Sequence, residues 1–107
     1  MKIDGIKKEI DFLQAVLERP GMFLVNSVHE FYLVSLGMSY GLDDEKGFLL
    51  NAFFQEFTEY LSERLHVSKE NVPWFKLIDF CSSTNTHSLI LCKKHFQEYI
   101  KQSTKRV

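Results

Sequence analysis

Glu18-Arg19-Pro20-Gly21-Met22-Phe23 separates two strongly apolar helical patterns, and how it is read fixes where the first helix stops. Pro20 has no amide proton and disfavours helix at Arg19, so the preceding helix is expected to end there. Gly21 permits a positive φ or a close backbone approach. Met22, Phe23, Leu24 and Val25 follow with no polar interruption, so the turn is expected to insert into a core.

On the N-terminal side, Asp4 can cap a first helix. In it Ile6, Ile10, Leu13 and Leu17 recur at helical steps, with Lys7, Lys8, Asp11 and Gln14 on other faces. On the C-terminal side, Ser27-Val28-His29-Glu30 reads as a capping box. The helix behind it, to about Leu42, is apolar nearly all round through Phe31, Tyr32, Leu33, Val34, Leu36, Met38 and Tyr40, so it is expected to be central. Gly37 and Gly41 form a flat strip that another backbone can approach.

Asp43-Asp44-Glu45-Lys46-Gly47 reads as a polar connection before a third helix from about Phe48 to Leu65. Its inner stripe is Leu50, Phe53, Phe54, Phe57, Leu61 and Leu65. Glu56, Glu59 and Glu63 fall together on the opposite side as one acidic stripe. After a loop at Ser68–Asn71, Pro73 opens a short fourth helix carrying Trp74, Leu77, Ile78 and Cys81 inward. Ser82–Thr86 is turn and cap chemistry. A final helix from about Thr86 turns Leu89, Cys92, Phe96 and Tyr99/Ile100 to one side, with Lys101, Lys105 and Arg106 complementing its C-terminal dipole. Ser88–Cys92 is the one run that composition alone allows as a short strand. The expected fold is all-α: a compact single-domain bundle of about five helices spanning 1–107.

The totals agree with one small core. A chain of 107 residues with 45% hydrophobic and 14% aromatic content is of a size and make-up to fold without staples. The 13 basic and 14 acidic residues leave a formal charge of −1, which gives no general field toward nucleic acid or anionic membrane. No run approaches the ~18 apolar residues needed to cross a bilayer, and the N-terminus has no signal-peptide core, so a cytoplasmic location is expected. Cys81 and Cys92 both fall in apolar patterns and read as reduced core thiols rather than a disulfide.

Chemistry-bearing patterns are thin. His29, His66, His87 and His95 form no metal-ligand spacing; His87 and His95 stand two turns apart. Cys92 and His95, three apart on a helix, are the nearest thing to a nucleophile and base, at a spacing where side chains meet in any helix. No glycine loop of the phosphate-cradling type is present. Neither a catalytic site, a cofactor nor a metal is expected. Surfaces remain: Asp43 and Asp44 together with Glu56, Glu59 and Glu63 can offer an acidic face to a basic protein partner.

The Arg19-Pro20-Gly21-Met22-Phe23-Leu24 turn, followed by a capped aromatic helix ending Gly37-x-x-Tyr40-Gly41, resembles a group of small bacterial helical proteins with an R-P-G-M-[YF]-[LIV] motif. The later aromatic helix (Phe53, Phe54, Phe57, Tyr60), the Trp74-x-x-Leu77-Ile78 helix and the helix around Phe96 fit the same spacing. This chain departs in carrying Phe23 for Tyr and Val25 where glycine often follows. Several members are immunity proteins of polymorphic or contact-dependent toxin systems. The resemblance therefore implies a cytoplasmic protein that binds the C-terminal domain of a cognate toxin. It also implies that Arg19, Pro20, Gly21 and Met22 determine the fold, with Arg19 as a buried, paired charge. Two other readings stand beside it: a self-associating helical adaptor, and a hydrolase using Cys92 and His95.

Overall fold

The computed structural model describes residues 4–66 and 72–105, and it is a bundle of five helices with no strand among those residues. A 3-10 turn at Asp4–Ile6 leads into α1 (Lys7–Glu18). A second 3-10 turn at Pro20–Phe23 separates it from α2 (Val28–Gly41). Then follow α3 (Asp44–Leu65), α4 (Trp74–Phe80) and α5 (Asn85–Lys105). Its radius of gyration of 13.1 Å matches the ~13 Å of a compact chain of about 100 residues.

One core runs through all five helices. Ile10, Leu13, Val16 and Leu17 of α1 meet Phe31 of α2, Leu50, Phe53, Phe57 and Leu61 of α3, Leu77 and Ile78 of α4, and Cys92 and Phe96 of α5. At its centre lies Phe96, fully buried, with ring centroids 5.9 Å from Phe31, 5.7 Å from Phe53 and 5.6 Å from Phe57, each in an edge-to-face contact. That geometry sets the positive ring edge against a negative face.

The helix starts follow capping chemistry. Ser27 Oγ accepts from the Glu30 amide at 3.2 Å, and the Glu30 carboxylate accepts from the Asn26 amide at 2.6 Å, one residue earlier than a symmetric capping box. Asp43 caps α3 by accepting from the Lys46 amide at 2.8 Å. The third helix therefore begins four residues before the expected Phe48, and Asp44 and Glu45 form its first turn, where acids complement the dipole. Ser88–Cys92 is helical, within α5. The side chain of Asp4, the expected first cap, and the Ser68–Asn71 loop lie outside the described residues.

Several expectations fail. The Pro20–Phe23 turn does not enter the core: Met22 is 72% and Leu24 83% exposed, and of this run only Val25 is buried. No described glycine has a positive φ; the left-handed residue of the turn is Leu24, at φ 57° and ψ 35°. Arg19 is exposed, 3.9 Å from the Met22 sulfur, rather than buried against an acid. α2 touches every other helix, yet its buried positions are only Val28, Phe31 and Ser35, while Leu33 and Tyr40 face solvent. No described residue packs where a Cβ on Gly37 or Gly41 would stand; the close approach falls at Gly5, where a Cβ would stand 2.8 Å from Leu49 Cδ1. Cys81 is exposed because α4 stops at Phe80, one residue before the inward position that helical periodicity assigns to it.

Candidate functional site

α3 is amphipathic over 22 residues, and its buried stripe of Leu50, Phe53, Phe57 and Leu61 fixes which side faces out. Steps of three and four then place Glu56, Glu59 and Glu63 along one ridge beside α5. With Tyr60, Tyr99 and Gln102 they line an open groove of about 240 Å³ between the two helices.

The groove has a stiff base. Tyr60 and Tyr99 rings lie 5.2 Å apart, and Phe57 lies 5.5 Å from Tyr99. Glu98 of α5 locks the rim: Arg64 donates to its Oε2 at 2.9 Å and the Tyr60 hydroxyl donates to the same oxygen at 3.3 Å. The Arg64 guanidinium also sits 5.6 Å from the Tyr60 ring centre. The Arg64 hydrogen bond holds the Glu98 carboxyl below its ordinary value, and the same bond raises Arg64. Burial pushes the Tyr60 hydroxyl up, so it stays a proton donor.

The structure brings together three of the five acidic residues expected to act as one face. Asp43 and Asp44 sit at the opposite end of α3. Twelve residues separate Asp44 from Glu56, about 18 Å along the axis and on another side of the helix. Asp43 is moreover committed to its cap. Sequence reasoning missed Gln102 as a lining residue of the groove, and Arg64 with Glu98 as the pair that ties α3 to α5 beside it. Arg64 one turn after Tyr60 is a readable signal, whereas Glu98, thirty-four residues beyond Arg64, has none.

The motif turn builds a second surface. Phe23 packs edge-on against Phe12 of α1 at 5.6 Å, and with Met22 and Leu24 they make an apolar patch beside exposed Arg19. Pro20 opens the turn and accepts from the Val25 amide at 3.0 Å, which anchors the buried Val25 behind the exposed tip.

Of the residues considered for chemistry, Cys92 is fully buried and burial pushes its thiol well above the ordinary range, so it remains protonated. His95 is also buried, and its Nδ1 has no hydrogen-bond partner among the described residues. His87 Nδ1 accepts from the Ser83 amide at 3.0 Å, a local turn contact at the start of α5. Among the described residues no group of three His, Cys, Asp or Glu side chains converges on a metal position. None of the described helices is long and apolar enough to cross a membrane. Compared with protein families, curated proteins and solved structures, the chain gives no match.

Proposed function

We propose that this protein is an immunity protein: it binds the C-terminal domain of a cognate bacterial toxin and blocks that domain's active site or substrate access. The reading rests on the Arg19–Leu24 motif and on one observation above all, the ridge of Glu56, Glu59 and Glu63 over a rigid tyrosine base. A toxin that acts on nucleic acid has a basic cleft, and a fixed row of carboxylates is complementary to it. The mechanism asks no reaction of this chain's side chains.

The test is binding to the toxin domain encoded beside this gene, measured by calorimetry at low and high salt. Reversing Glu56, Glu59 and Glu63 to lysine is expected to raise Kd by about a hundredfold at low salt, with a smaller loss at high salt. Asp44→Lys, at the far end of α3, is expected to leave Kd unchanged. Unaltered affinity in the triple variant removes this contact face. A neighbouring gene without toxin character removes the assignment.

The apolar patch of Phe12, Met22, Phe23 and Leu24 favours a second reading, a helical adaptor that self-associates. Sedimentation of the purified chain separates the two: a dimer that Leu24→Lys dissociates supports the adaptor.

A further inference from the structure

A second, smaller cavity lies away from the acidic groove. Residues of α2 and α3, with Trp74 of α4, line a slot of about 140 Å³ that is partly open to solvent. Three aromatic rings wall it. Trp74, the first residue of α4, stacks on Phe54 of α3 with centroids 4.9 Å apart and planes 12° from parallel. Tyr32 of α2 meets Trp74 edge-on at 5.9 Å. The volume is close to the ~150 Å³ of an apolar protein cavity that holds one benzene molecule. The slot therefore suits one six-membered ring.

Its polar atoms narrow the chemistry further. Ser35 and Ser39, one turn apart on α2, both line the slot, and Ser35 is nearly inaccessible. Each hydroxyl gives its proton to a carbonyl of its own helix, Ser35 to Tyr32 and Ser39 to Leu36, both at 2.7 Å. A hydroxyl has one proton and two lone pairs, so each serine has only acceptor capacity left for an occupant. Asn51 stands exposed among the lining residues, and no carboxylate, lysine or arginine is among the described residues that line the cavity. Among the described residues a charged ring would meet no side chain of opposite charge, and the two serines offer lone pairs to a donor. A neutral ring bearing one donor satisfies both walls and serines.

We infer that the α2–α3 slot is a binding site for a neutral phenol-type ring, whose hydroxyl donates to Ser35 or Ser39 while its faces pack among Tyr32, Phe54 and Trp74. Such a ring is carried by a free phenol or by a tyrosine of a protein partner. The site shares no residue with the Glu56–Glu63 groove, so it stands or falls independently of the immunity reading.

The experiment is a titration of the full-length protein followed by amide and indole NMR shifts. Trp74 is the only tryptophan, which makes its indole signal an unambiguous reporter. Phenol is expected to shift Ser35, Ser39 and Trp74 saturably with Kd of about a millimolar. Benzene is expected to bind about fivefold more weakly for want of the hydrogen bond, and tetramethylammonium not at all. The Ser35→Ala/Ser39→Ala variant favours the helix, so it folds, and it is expected to equalise phenol and benzene. N-acetyltyrosinamide distinguishes the sources: binding comparable to phenol supports a partner tyrosine, and exclusion supports a free phenol. No saturable shift at about 20 mM phenol overturns the site, as does equal affinity for phenol and benzene in the unaltered protein or an undiminished phenol preference in the double variant.

Discussion

Replacing Leu24 by glycine should stabilise this protein, although it deletes a leucine from the longest apolar run of the first turn. Leu24 has φ 57° and is 83% exposed. An L-residue in the left-handed region costs about 1–2 kcal/mol through its Cβ, and glycine escapes that cost. Against it stands the extra chain entropy of glycine, about 0.5–1 kcal/mol. Little burial is lost, because little of the side chain is covered. The difference is a gain of about 0–1.5 kcal/mol, or up to about 12 °C in Tm for a domain of this length. Urea unfolding followed by Trp74 fluorescence reads it directly: the midpoint should rise with an unchanged slope. Val25→Ala, next in sequence but buried, should instead cost about 2 kcal/mol. A leucine packed in a core would cost about 2–5 kcal/mol on truncation, so the two environments predict opposite signs. A fall of more than about 1 kcal/mol in Leu24→Gly would refute the reasoning.

Phe96→Ala should cost about 3–5 kcal/mol, because it empties the centre of the cluster formed with Phe31, Phe53 and Phe57; chemical denaturation measures it. Burial, the largest influence on His95, lowers its imidazole below 6.5, against the opposing pull of Glu98 and with Lys94 and Arg64 acting in the same direction as burial. The unfolded chain takes up that proton first as pH falls, so the stability His95 contributes is complete above 6.5 and declines through the folded value. Urea midpoints should therefore fall between about pH 7.5 and about pH 5.5, and His95→Leu should flatten that limb. Glu18 and Glu98, both lowered by hydrogen-bonded cationic partners, act only further down, from about 4.5. Thiol titration of the native protein should count one reactive cysteine, Cys81, and a second, Cys92, only in denaturant.

The sequence carries most of the bundle because each helix is signalled locally. Ser27 with Glu30, Pro73 before Trp74 and the three-four spacing of Leu50, Phe53, Phe57 and Leu61 need nothing beyond their neighbours. Its errors have physical sources. Apolarity gives a residue's average preference but not its direction, so the run from Met22 to Leu24 read as core although a 3-10 turn aims it outward. Asp43–Lys46 looked like a linker because the same polar residues serve loops and helix starts. Non-local partners leave no trace at all. Ser88 is buried because its Oγ accepts from the Val28 amide sixty residues away, at 3.0 Å, and gives its proton to the Asn85 carbonyl. The groove was legible only in part for the same reason: three glutamates share a helical face, but the pairing with α5 that makes that face a groove is tertiary.

On the immunity reading proposed above, that pairing would also divide the labour of binding. Glu56, Glu59 and Glu63 line that open groove as charged side chains, and charges at the edge of an interface act over about a Debye length before contact is made. Rim carboxylates of this kind therefore act mainly on the encounter, through long-range steering that salt screens. Tyr60 differs. Its ring is already clamped by Tyr99, Arg64 and Glu98, so its burial against a partner carries little further ordering cost. Desolvated aromatic anchors of that type hold a complex together once formed. Stopped-flow kinetics with the cognate toxin domain should accordingly show the glutamate reversals in the association rate and Tyr60→Ala in the dissociation rate. If the glutamate reversals change dissociation while Tyr60→Ala changes nothing, the carboxylates are the anchors and the tyrosine base is only scaffolding.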